Sequence, residues 1–99
     1  MSQVLKLSSV LDIVAAPGLL DNFLQMRGNQ ILVDASAVQR LGAQCLQILL
    51  AARIAWEEDN VSLEFQDPSE DFVDSLELFG TSLDKLTYHA QHNIGENNK

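Results

Sequence analysis

A chain of 99 residues with 46% hydrophobic content and a formal net charge of −8 holds enough apolar material for one core and is too short for two. The acidic balance excludes sequence-independent nucleic-acid binding, which depends on Lys and Arg neutralising phosphates. A single cysteine, Cys45, excludes an internal disulfide. No secretory leader pattern is visible and no apolar run approaches the roughly 20 residues that cross a bilayer, so a cytoplasmic protein without membrane insertion is expected.

Val4, Leu5 and Leu7 around Lys6 read as a short edge strand, and residues 10–14 either pair beside it or lead into the first helix. Leu19, Leu20, Phe23, Leu24 and Met26 recur at helical spacing, Pro17 suits a first turn and Gly28 stands where a helix stops. A helix is therefore expected over 16–27. Residues 30–34, Gln-Ile-Leu-Val-Asp, form the continuous apolar run of a central strand covered on both faces. A loop over 36–42, the longest helix over 43–58, a turn at Asp59-Asn60 and an alternating strand over 61–65 follow. Strand, helix and strand at this spacing make a βαβ unit, which demands parallel neighbours.

Asp67-Pro68-Ser69-Glu70 is a helix start: Pro68 halts the strand, Ser69 caps, and acids in the first turn complement the helix dipole. Phe72, Val73, Leu76, Leu78 and Phe79 supply the apolar face of that helix, which Gly80 ends in a left-handed conformation. Leu83 and Leu86 suggest one more short element. The predicted fold class is α/β, helices packed on a mixed sheet. One domain over 1–88 and a flexible tail over 89–99 complete the chain.

Every charge from Glu57 to Glu77 is negative, whereas Arg27, Arg40 and Arg53 lie upstream. Such a field steers a protein towards a basic partner patch, although solvation is the commoner reason for it. The residue types that catalysis needs are nearly absent. His89 and His92 stand three apart near the chain end without an evident Cys or carboxylate companion, and read as tail residues before metal ligands. Cys45 falls in an apolar helix, where a thiol is a small core residue and not a nucleophile. No Gly-rich phosphate loop occurs, and no cofactor is expected. Only Asp34 ends an apolar strand where open α/β sheets place ligands. With Ser36 it marks a possible ligand crevice, against the commoner role of an aspartate in closing the next turn through its own carboxylate.

At 100° per residue, Cys45, Leu46, Leu49, Leu50, Ala52 and Trp56 share the core arc of the long helix, with the stem of Arg53 along it. The opposite strip holds Gln44, Gln47, Ala51, Ala55 and Glu58, edged by Ile54. It is flat and nearly uncharged, so a partner could approach without stripping water from charges. Helix propensity alone would also place Ala and Gln there.

Residues 31–52, Ile-Leu-Val-Asp-Ala-Ser through Gly-Ala-Gln-Cys-Leu-Gln to Leu-Leu-Ala-Ala, resemble the central block of STAS domains, the family of the anti-sigma factor antagonists. That block has a strand ending in Asp-x-Ser, then Asp-Ser-Ser-Gly-Leu opening a helix. Asp-Pro-Ser at 67–69 and Leu-Phe-Gly at 78–80 look like the family's second half, and the likeness runs from about residue 4 to 86. It implies a STAS-like mixed sheet of four to five strands and a non-catalytic protein-binding role. Aligned on Leu46, the serine that partner kinases phosphorylate in the family is Ala43 here, which has no hydroxyl to modify. Val-Asp-Ala-Ser, Gln-Cys-Leu-Gln and Ala-Trp-Glu-Glu-Asp further resemble small stand-alone STAS proteins of bacterial chemotaxis gene clusters, which are thought to dock on a histidine kinase. The resemblance thus implies docking through Arg40, Gly42, Ala43, Gln44 and Gln47. The alternative it leaves open is an accessory subunit on the ATPase of a lipid-transport ABC system.

Overall fold

The computed structural model describes residues 3–91. In chain order these form β1 (Gln3–Lys6), β2 (Val10–Leu11), α1 (Ala16–Met26), β3 (Ile31–Asp34), β4 (Arg40–Leu41), α2 (Ala43–Glu58), β5 (Leu63–Gln66), α3 (Glu70–Leu78) and α4 (Leu83–Leu86). β3 is central, between β1 and β5, and both pairings are parallel. That position explains its composition: Ile31 and Val33 are buried and Leu32 is half-covered, so both faces need apolar side chains.

The single mixed sheet of four to five strands is corrected. The strands divide into a parallel sheet of three, β1-β3-β5, and a parallel pair, β2-β4. Among the described residues antiparallel character is limited to one bridge, Leu63 to Tyr88. β2 and β4 are two residues each, held through Val10–Arg40 and Leu11–Leu41. A pair of residues is too short to show alternation, which is why residues 36–42 read as plain loop.

α1 and α2 pack side by side, α2 also touches α4, and α3 lies against β4. At the α1–α2 seam the rings of Phe23 and Trp56 meet edge to face, centroids 5.8 Å apart. Trp56 is fully buried and its indole N–H donates to the Asn29 carbonyl at 2.7 Å, so its one polar atom is satisfied inside the core. Leu5, Leu19, Val33, Leu49, Leu63 and Leu76 belong to the same cluster, which draws on α1, α2, α3 and the three-stranded sheet.

Ser69 caps α3 as expected. Its hydroxyl accepts the Phe72 N–H at 3.0 Å and donates to the Val38 carbonyl at 2.5 Å. At the other end Gly80 adopts φ +80°. There the Thr81 N–H bonds the Leu76 carbonyl and the Gly80 N–H that of Glu77, the paired closure that a left-handed glycine permits. Residues 88–91 are fastened beside the turn that follows α2. The Asn60 side chain accepts from the Tyr88 hydroxyl and the Gln91 N–H, both at 2.7 Å, and donates to the Gln91 carbonyl at 2.9 Å. The remainder of the expected tail, with His92, lies outside the described residues.

Candidate functional site

The first turn of α2 is built by its neighbours. Gly42 precedes the helix in an extended conformation and offers no side-chain cap. Its N–H donates to the Leu11 carbonyl at 2.8 Å, which ties the start of α2 to β2. Beside it, Asp12 closes the turn before α1, its carboxylate accepting the N–H groups of Val14 and Ala15, each at 3.1 Å. The Cys45 thiol donates to the Asp12 carbonyl at 3.3 Å. This turn is thereby stitched to the start of α2 and turns Ile13 and Val14 outward, 65% and 82% exposed.

On this frame Ala43, Gln44 and Gln47 are exposed, as is Arg40 on β4. Arg40 makes no ion pair among the described residues, whereas Arg27 is bound to Asp59 and Glu58, and Arg53 to Glu57. Arg40, Gly42, Ala43, Gln44 and Gln47 therefore form one surface: a free guanidinium, an uncapped helix start and two amide side chains. No hydroxyl or carboxylate sits among them.

Asp34 and Ser36 stand apart at the end of β3. The Asp34 carboxylate accepts the Ser36 N–H at 2.9 Å, the turn-closing role open to it. Hydrogen bonding from Ser36, hydroxyl and then backbone, holds its pKa below the usual carboxylate value, opposed by partial burial and aided by Lys6, its register partner on β1. No hydrogen bond among the described residues joins this pair to the α2 start. Cys45 is fully buried and burial pushes its thiol pKa up, with Asp12 adding to the rise, so it stays protonated and unreactive at neutral pH. His89 is exposed and its Nδ1 lies 3.1 Å from a Glu64 carboxylate oxygen. Among the described residues no group of three His, Cys, Asp or Glu side chains is placed to hold a metal.

Beyond this surface, α1 carries apolar side chains to the outside. Leu20 and Leu24, counted with the helical repeat of α1, are 46% and 61% exposed. They face Ile48, Ala51 and Ala55 of α2 across a groove of about 180 Å³. The small-residue strip of α2 is thus one wall of a groove whose other wall is α1. The signal was the breadth of the apolar stripe on α1, wider than one core contact uses.

A small parallel α/β domain with an exposed start to its longest helix, and with its thiol and turn carboxylate in structural roles, has the makeup of a protein-binding module. The family model described as "Mlab, STAS domain" matches residues 1–87, and the chain belongs to the STAS family, whose domains are generally non-catalytic interaction modules of the anti-sigma-antagonist type. No curated protein matches the chain. No helix among the described residues is long and apolar enough to cross a membrane.

Proposed function

We propose that the chain is a constitutive docking module of bacterial cytoplasmic signalling, binding a histidine kinase of a chemotaxis system through Arg40, Gly42, Ala43, Gln44 and Gln47. The observation that carries this is the exposed start of α2, which has a methyl group at Ala43 where a STAS domain under kinase control would carry a phosphorylatable hydroxyl. A phosphate there would bring about −1.5 to −2 charges to a helix N-terminus and change partner affinity sharply, whereas alanine leaves the surface in one permanent state. The segment from Tyr88 to Gln91 runs beside Asn60, at the far end of α2, and leaves this turn open.

Measuring kinase affinity for Gln47→Arg and Ala43→Asp tests the proposal. Each should weaken the complex by about tenfold or more, or about 1.4 kcal/mol. An acid at the first turn of a helix favours the fold by up to about 1 kcal/mol. The Ala43→Asp chain should therefore keep or gain stability while losing its partner, and unchanged affinity in both variants would overturn the docking site. The second reading, an accessory subunit on the ATPase of a lipid-transport ABC system, uses the same helix. It is favoured by the Mlab in the matched family's description. Capture of a transporter ATPase and no kinase would reverse the order of the two.

A further inference from the structure

The α1–α2 groove has an apolar floor and, at the end where Arg27 lines it, two carboxylates paired with that one guanidinium. Leu20 and Leu24 on one side face Ile48, Ala51 and Ala55 on the other, above Phe23 and Trp56. The alanines let another backbone come close, and the two half-exposed leucines offer apolar area that no described residue covers. Its charges are unbalanced. Arg27 is the one charged residue lining it, and Asp59 at 2.9 Å and Glu58 at 3.3 Å both engage that guanidinium, two carboxylates on one cation. The last turn of α2 has no basic residue, although a helix C-terminus is the end that favours cations. The groove's own electrostatics therefore call for positive charge at that end and none at the uncharged start of α2.

We propose that this groove receives the apolar face of a basic amphipathic helix of the partner protein, its leucine-like side chains over Leu20, Leu24 and Ala51 and its cationic end over Glu58 and Asp59. This rests on the reading of the chain as a protein-binding module and names the chemistry of the segment bound. A helix presents apolar side chains at i, i+3, i+4 and i+7, the spacing a seam between two parallel-walled helices accepts. A second copy of the chain is disfavoured, since it would bring its own net charge of −8 to an acidic surface.

The test uses the full chain and a synthetic helical peptide of about 18 residues, with leucines at i, i+3, i+4 and i+7 and lysines at one end. Binding is read from Trp56 emission and from amide shifts. A twin peptide with glutamates in place of the lysines should bind at least about tenfold more weakly. Leu24→Glu and Ala51→Glu, both at exposed positions and checked for native circular dichroism, should abolish binding of the lysine peptide. Equal affinity for the two peptides overturns the proposal, as does binding indifferent to Ala51→Glu. Self-association of the chain that Ala51→Glu abolishes would overturn it as well, by naming a second copy as the occupant. The docking site at the start of α2 fails separately: peptide binding that holds while Gln47→Arg leaves kinase affinity unchanged sinks that site alone. A failed peptide with a Gln47→Arg chain that has lost kinase affinity sinks the groove alone.

Discussion

Replacing Ser69 by alanine tests how one hydroxyl holds two parts of the fold. The Ser69 oxygen accepts the Phe72 N–H at the start of α3 and donates to the carbonyl of Val38, a buried residue on the approach to β4. Losing the cap costs about 1 kcal/mol. The carbonyl left without its donor adds about 1 kcal/mol more. For a domain of this size the total of about 2 kcal/mol lowers Tm by about 8–16 °C. Thermal unfolding followed by far-UV circular dichroism measures it, with Ser69→Thr as the control that keeps both bonds and should stay near the wild type. A fall of less than about 2 °C in the alanine variant would mean that neither bond matters to the folded state.

Two further outcomes follow from the placement of titratable groups. Cys45, buried and with its pKa raised, should resist iodoacetamide at pH 8 in the native chain and react once urea unfolds it; rapid labelling of the native protein would contradict its place in the core. Asp34 has a folded pKa below its unfolded one, so its carboxylate stabilises the fold fully above the ordinary carboxylate pKa and loses that contribution as pH falls through the folded value. The stability gap between wild type and Asp34→Asn, measured by urea titration, should therefore close as the pH is lowered, and a gap that widened in acid would be the wrong sign.

Much of this fold was legible because its signals are local. The bounds of α2 follow from the glycine before it and the Asp-Asn turn after it, and Ser69 and Gly80 frame α3 by side-chain and backbone chemistry that needs no tertiary partner. β2 and β4 were not legible, since each is two residues whose partner lies about thirty positions away. Leu50 is half-buried where the helical wheel put it in the core, because that flank of α2 faces the short α4. For Leu20 and Leu24 the sequence offered only the breadth of the apolar stripe on α1, not their exposure. A repeat on α1 says which residues are apolar but not which of them the neighbouring helix leaves uncovered. The exposed start of α2, with Gln44 and Gln47 opposite the core arc, could be read from the helical wheel. The frame that holds it, with Gly42 against Leu11 and Cys45 against Asp12, needs the packed structure.

Docking of a second protein at the start of α2 is the central proposal. Amide chemical-shift mapping of the labelled chain during titration with a chemotaxis histidine kinase tests this most directly. The largest changes should fall on residues 40–47 and on the adjoining Ile13 and Val14. Saturable binding that leaves those amides untouched and perturbs α3 or β5 instead would contradict it.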